Sequence, residues 1–565
     1  MRRTARSLFP FLLFVAVLGT LLTVVFTTPV LYFVSERLAG FHDSDASGQL
    51  WAMWWFSKAL FDLRQSPAQV SWLSYPPGLY HPVLTAAPYI RLVALPLMQA
   101  HPIAVYNAHL LLSFVLTWIF TALLCYELTG NLAAALVGGA VFAFFPNKTN
   151  HALGGHINMT IVYWFPFLAW QLLRLLKCPS PGRAVGCGLA LALACSVEVI
   201  YIPFLVVPLT VGLVAFALGR VPQLRHSRAI WAGLGLAVLI ALCFVLPGWI
   251  PLLSAAFRGQ LRYYETGQAI QYSADLLGLF LPSPLHPLYG AWPALRFLSA
   301  RTLLGLGSSE NIVYGGIGSL FLAGWGARRW WKRQWDVPFW AGLAVVATVF
   351  SLGPVLRVAG QVTRIPLPYA LLERLPFLSW SRTPARLNQT TMLAIAVLSS
   401  YGTAALLEAR VRPSRQMSVA VLLVLMILFD YLVMFPWPVD LAITPSYCQL
   451  LAADRREVAV LDLPLWNYTA NNLYMRYQMA HGHPIVGGYI YRRSPEAEQV
   501  MRMLEQLALP GGDPRALARE GVGYVVLHRE FLSGREQMTW ARFLEMNLGP
   551  PVYQDTEVVV FAVGP

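Results

Sequence analysis

The sequence predicts a polytopic α-helical membrane protein with about eleven transmembrane helices and a small α/β domain at its C-terminal end. Three observations lead there. Hydrophobic residues fill 57% of the 565 positions and charged residues only 12%, against about a quarter charged in an ordinary soluble domain. The apolar residues gather in runs of helical length rather than in short alternating segments. The basic residues gather in short loops between those runs: Lys177 and Arg183; Arg220, Arg225 and Arg228; Arg328, Arg329, Lys332 and Arg333; Arg410, Arg412 and Arg415.

Short loops rich in Lys and Arg lie on the cytoplasmic side, and they order the spans. The first, about 8–33, follows Arg2, Arg3 and Arg6 and leaves the cytoplasm. It is too long for a signal-peptide core and no A-x-A site closely follows, so it reads as a retained helix. An external loop, 34–102, carries LWAMWWFSKALFDL, expected as an amphipathic helix at headgroup depth because of its tryptophans. Spans follow at 103–128 and 131–146, then FFPNKTNHALGGHIN outside, then spans at 157–176, 184–199, 201–219 and 229–252. A second long external loop, 253–309, precedes spans at 311–326 and 337–352; a third, 353–384, precedes 386–407 and 416–436. The membrane domain is thus 1–436. Residues 437–565 form an extracytoplasmic α/β domain, with strands in EVAVLDLPL, GVGYVVLH and EVVVFAV and helices near 495–508 and 534–546.

The formal charge of +14 does not indicate a nucleic-acid partner, because its position matches the positive-inside bias. Six cysteines without a C-x-x-C spacing indicate neither a disulfide framework nor a zinc site. No P-loop, G-x-S-x-G, H-E-x-x-H or dinucleotide fingerprint occurs.

This threading places most unusual polar residues on the outer face. Asp43 and Asp45, just past the first span, can share a divalent cation such as Mg or Mn through hard oxygen ligands, or one can act as a general base. His151 and His156 can donate to a phosphate or move a proton, or simply finish an interfacial loop; their spacing and the Gly-Gly between them argue against one shared helix turn, so a metal site there is allowed but not signalled. Arg382 and Arg386, flanking Pro384, can clamp a phosphate or snorkel to headgroups; Arg258 and Arg262 are alternatives for the same role. Glu198 is an acid near membrane depth, hence a functional candidate, or a solvated loop residue. Glu310 and Asn311 are candidate substrate contacts or a helix N-terminus. His481, His483, Arg492 and Arg493 bracket a Gly-Gly turn in the tail, as surface residues or as a cover over a donor site.

The stretch PVLYFVSERLAGFHDSDASGQLWAMWWFSKAL resembles the first helix and first external loop of the GT-C membrane glycosyltransferases, among them the protein O-mannosyltransferases and the aminoarabinose and arabinosyl transferases. YNAHLLLSFVLTWIFTALLCYELTGNLAAALVGGAVFAFFPNKTNHALGGHINMTIVYWFPF, SRTPARLNQTTMLA and MAHGHPIVGGYIYRRSP are similar to a bacterial GT-C-like group. The resemblance covers most of the chain. It implies a bacterial inner-membrane enzyme, a polyprenyl-phosphate-linked sugar as donor, an extracytoplasmic lipid, glycan or protein as acceptor, inversion, and a catalytic acid in the first loop. The Asp-Glu dipeptide of the best-studied members is missing, which leaves Asp43 and Asp45 equal candidates for the base. A flippase or transporter of a lipid-linked sugar or polymer, and a non-catalytic envelope scaffold, are the alternatives; the chain lacks the repeated halves usual in transporters.

Overall fold

The computed structural model describes residues 8–42, 44–95, 97–258, 268–303, 308–373, 382–441, 444–488 and 494–564. Asp43, Arg262, Arg492 and Arg493 lie outside the described residues. The chain separates into two compact units. One comprises Met1–Val34, Asn107–Ile250 and Leu261–Val439; the other comprises Ser35–Tyr106, Pro251–Gln260 and Asp440–Pro565. The first external loop therefore belongs with the tail, where the sequence boundary at 436 kept them apart.

The first unit is helical, with an apolar helix at every run that the sequence marks. Among the described residues six helices are long and apolar enough to cross a bilayer, or seven if the bent pair Leu132–Ala143 and Pro146–Leu153 is one span. Others, such as Pro181–Cys195 and Val337–Ser351, are shorter. The centre of this unit is the helix Asn388–Arg410, against which Ile317–Trp330, Leu132–Ala143 and Val337–Ser351 pack. Small residues permit the approach: a Cβ on Gly402 would lie 1.9 Å from the Leu322 carbonyl oxygen, and one on Gly326 would lie 2.2 Å from that of Leu398. Between apolar helices, close backbone contact of this kind and bonds such as Ser399 Oγ to the Ser319 carbonyl (2.9 Å) replace the hydrophobic drive available in water.

The bend between Leu132–Ala143 and Pro146–Leu153 is 41°. Pro146 lacks an N–H and holds Phe145 in an extended conformation (ψ 145°), so the helix breaks and restarts. FFPNKTNHALGGHIN was expected as an external loop. Its first half is instead a helix turned into the protein, with Asn147, Lys148, Thr149, Asn150 and His151 all buried. Lys148 is satisfied there: its ammonium donates to the carbonyls of Ser113 (3.1 Å) and Ala143 (3.2 Å) and to Thr117 Oγ1 (3.1 Å), and it lies 4.0 Å from the centre of the Phe114 ring.

In the second unit the strands Ala459–Leu463 and Val522–His528 run parallel. Val558–Ala562 adds antiparallel to Val522–His528, and Tyr553–Gln554 forms the edge. Parallel neighbours need a crossover, which the chain makes through the helices Tyr468–His481 and Pro495–Ala508. Val522, Val525 and Leu527 of one central strand and Val559 and Phe561 of the other share a core with Met501, Leu504 and Leu544.

The tryptophan-rich segment forms the helix Ala46–Ser57, but it is buried on nearly every side rather than amphipathic. It packs on the helix Tyr468–His481. Trp51 and Trp55 stack with ring centres 5.5 Å apart. Both indoles find acceptors inside, Trp51 at Gln478 Oε1 (2.7 Å) and Trp55 at the Pro67 carbonyl (3.0 Å). The expected amphipathic face is thus corrected for Ala46–Ser57: an apolar ring with one donor suits a protein core as well as an interface, provided the donor is met.

Candidate functional site

The bend at Pro146 delivers His151 to the first unit's interior, and a glycine turn returns His156 to it. After Leu153 the chain passes Gly154 and Gly155, the latter at φ +80°, a conformation that suits a residue without a Cβ. His156 precedes the short helix Ile157–Thr160. The two histidines do occupy different elements, as their spacing indicated. The turn nevertheless brings Nδ1 of one to 3.0 Å from Nδ1 of the other.

Glu310 arrives from the short helix Ser308–Asn311 and is buried. His151 Nε2 lies 3.6 Å from Glu310 Oε2, too far for a hydrogen bond. Arg386 supplies the missing partner. Its Nε stands 3.1 and 3.0 Å from Oε1 and Oε2, and its Nη2 donates to Oε1. Burial alone would raise the Glu310 carboxyl pKa; the charge of Arg386, then that of His151 and the Arg386 hydrogen bonds, outweigh it and hold the carboxyl well below the usual range. Glu310 is thus an ion-pair partner within its short helix, and the Arg386 guanidinium is oriented by a protein carboxylate.

Around this core the polar groups interlock. Asn147 Nδ2 donates to the carbonyls of Ile312 (3.0 Å) and Glu310 (3.4 Å), tying the bent helix to the Glu310 segment. Asn158 Nδ2 donates to Glu198 Oε2 at 2.6 Å. Tyr201 and Gln389 share the Met159 carbonyl, at 3.1 and 3.0 Å. Arg382 lies over the Tyr272 ring, 5.1 Å from its centre. The structure thus gathers His151, His156, Glu310, Arg386 and Glu198 around one set of contacts. Asn147, Asn158, Tyr201 and Gln389 belong with them. Sequence reasoning missed those four, and the only available signal was their position at the ends of apolar runs.

Beside the cluster lies an apolar groove of about 200 Å³, lined among others by Pro203, Phe204, Leu343, Phe350, Leu387 and Thr390. Leu387 directly follows Arg386 in the chain. One wall is a π-helical turn, Ile202–Val206, a local irregularity that frequently accompanies functional sites. Thr390 Oγ1 donates to the Phe204 carbonyl (2.9 Å), so the hydroxyl does not interrupt the carbon surface.

The first-loop acid belongs to the second unit. Asp45 precedes the helix Ala46–Ser57 without capping it, and its Oδ1 accepts from the Tyr468 hydroxyl at 2.6 Å. His42 Nδ1 donates to Asp440 Oδ1 (2.6 Å), whose other oxygen pairs with Arg476 Nη1 (2.8 Å). Among the described residues His151, His156 and Glu310 form a group with metal-ligand spacing, with one donor atom from each within 4.8 Å of the others. In the tail His481 and His483 are buried; His483 Nε2 donates to the Leu451 carbonyl at 2.8 Å, so these side chains organise backbone instead of facing a ligand.

The fold is that of the GT-C glycosyltransferases. The mycobacterial arabinofuranosyltransferase AftD superposes with a TM-score of 0.59 at 15% identity, over 98% of this chain and 40% of AftD. The chain therefore spans about two fifths of the length of that protein. ArnT from Cupriavidus metallidurans, solved with undecaprenyl phosphate, aligns over 100% of both chains at 11% identity and a TM-score of 0.48. AglB from Archaeoglobus fulgidus, an archaeal oligosaccharyltransferase solved with an inhibitory peptide and a dolichol phosphate, aligns over 92% of this chain and 69% of its own at 12% identity and 0.48. No curated protein sequence matches. Residues 11–430 match the family described as a domain of unknown function, DUF6311, and the chain belongs to that family.

Proposed function

We propose that this protein is an integral membrane glycosyltransferase that moves a sugar from a polyprenyl-phosphate carrier to an extracytoplasmic acceptor, with inversion. The observation that carries the proposal is the buried Glu310–Arg386 pair and its histidines beside an apolar groove, on a GT-C fold. A polyprenyl tail is pure hydrocarbon and needs a carbon-lined wall; its phosphate needs cationic donors at the end of that wall. Leu387 and Phe204 supply the wall. Arg386, held in orientation by Glu310, and Arg382 supply charge that stabilises the phosphate as it leaves. Glu198, His151 and His156 line the same polar region as substrate contacts. Arg262 remains a candidate for the phosphate. A first-loop carboxylate, Asp43 or Asp45, takes the proton of the acceptor hydroxyl. In this topology eleven spans place the N-terminus in the cytoplasm and the tail outside, at a bacterial inner membrane.

The test is turnover of radiolabelled undecaprenyl-phosphate monosaccharides by the purified chain, read as release of undecaprenyl phosphate. Asp43→Asn or Asp45→Asn is expected to lower it by about 10²–10⁴-fold while carrier binding persists. Full turnover by both single variants and by the double variant removes the catalytic claim.

A further inference from the structure

We infer that residues 280–301, in the second long loop, lie on the bilayer surface and hold an anionic phospholipid headgroup at Arg296. The loop is fastened to the end of a membrane helix. Gln416–Asp430 leaves Leu422, Leu425, Met426 and Phe429 exposed, the i, i+3, i+4, i+7 spacing of one helix face. In a spanning helix that face meets lipid. At its last turn the buried His286 donates from Nε2 to the Phe429 carbonyl (2.8 Å), while its Nδ1 accepts from the amides of Leu288 (3.1 Å) and Tyr289 (3.2 Å). The Tyr289 hydroxyl donates to Asp430 Oδ1 at 3.2 Å. The loop therefore packs where the lipid-facing side of the helix ends.

The apolar surface continues onto the loop. Phe280, Leu285, Leu288, Trp292 and Phe297 are exposed, Trp292 at 60% and Phe297 at 64%. Clustered exposure of large apolar side chains marks an interaction or membrane surface, and tryptophan beside arginine is the composition of a headgroup boundary. The helix Pro293–Leu303 is held from its other side: Ser299 and Thr302 are buried, and the Thr302 carbonyl accepts from Arg357 Nη2 (3.3 Å). Pro293, Arg296, Phe297 and Ala300 are left to line an open cleft of about 410 Å³. Arg301 lies against the Phe297 ring, 5.6 Å from its centre. No carboxylate pairs with Arg296 among the described residues, so its guanidinium can meet a phosphate bidentately. A free phosphate would gain nothing from the apolar side chains around it, whereas a phospholipid buries its glycerol and upper acyl carbons against them. This site is independent of glycosyl transfer.

The experiment is photo-crosslinking of the full chain with p-benzoylphenylalanine in place of Phe297, reconstituted in vesicles of equal parts phosphatidylglycerol and phosphatidylcholine, with adducts identified by mass spectrometry. The same label in place of Leu425 gives the lipid-facing reference. Lipid adducts are expected at both positions. At position 297 phosphatidylglycerol is expected to exceed phosphatidylcholine by about fivefold, the effect of one basic residue at an anionic surface. Arg296→Ala is expected to remove that excess and to leave the total lipid yield unchanged. Lipid adducts at position 425 with none at 297 overturn the surface, as do adducts at 297 to a second copy of the chain. Equal labelling of the two lipids at 297, or an excess that survives Arg296→Ala, overturns the headgroup site.

Discussion

Arg386→Ala is expected to destabilise the membrane unit by about 3–5 kcal/mol, the usual cost of removing one partner from a buried ion pair. Glu310 has a side chain only 5% exposed, and Arg386 occupies both its oxygens. Without the guanidinium the carboxylate keeps its desolvation cost and loses its largest compensation. The nearest other cationic group, His151 Nε2, stands 3.6 Å from Glu310 Oε2, beyond hydrogen-bond reach, so it does not take over. Arg386→Lys is expected to recover only part of the loss, because a point charge does not reproduce the planar fork. The double variant Arg386→Met with Glu310→Gln is expected to be more stable than Arg386→Ala, since it removes both charges together. Thermal denaturation in detergent checks the order of the four proteins. A double variant that is as unstable as Arg386→Ala, or less stable, would show that the pair itself is not what the region depends on.

Acid is expected to weaken the second unit well before it affects a typical soluble domain. His81 and His481 are both buried, and burial first, then the charge of Arg91 for His81 and the nearby His483 and His528 for His481, lower each imidazole pKa from 6.5 to about 3. In the unfolded chain each protonates near 6.5, so below that pH the unfolded state binds more protons and stability falls with pH. The contribution is fully present above about pH 6.5 and is lost progressively down to about pH 3. At pH 5 each histidine costs about 2 kcal/mol relative to pH 7.5, or about 4 kcal/mol for the two. Apparent melting temperatures of the full chain at pH 7.5, 6 and 5 test the slope, with His81→Asn and His481→Asn each expected to flatten it. A melting temperature independent of pH between 7.5 and 5 contradicts the buried neutral state.

Most helices were legible because a chain that is 57% hydrophobic can satisfy its backbone in lipid only by folding each apolar run on itself. What failed to show was long-range pairing. Trp51 reads the same at a membrane interface and in a core; the difference is Gln478, 427 residues away. Glu310 and Arg386, 76 residues apart, were each conspicuous as charges beside apolar spans, but nothing local joins them. The histidines were separated by a correct argument about helix turns, and the positive φ of Gly155 then overrode it. Lys148 drew no attention in FFPNKTNH, although a lysine among aromatic residues has to find either water or acceptors. The bend at Pro146 gives it acceptors.

The proposed transfer requires a polyprenyl phosphate in the groove beside Arg386. Photo-crosslinking of the purified protein with a benzophenone-bearing polyprenyl phosphate tests this, with the label mapped by peptide sequencing. Labelling is expected in the segments around Phe204, Phe350 and Thr390 that line the groove, suppressed by excess undecaprenyl phosphate but not by a phospholipid of matched charge. Labelling spread evenly over the exposed apolar helices, or insensitive to undecaprenyl phosphate, would contradict it.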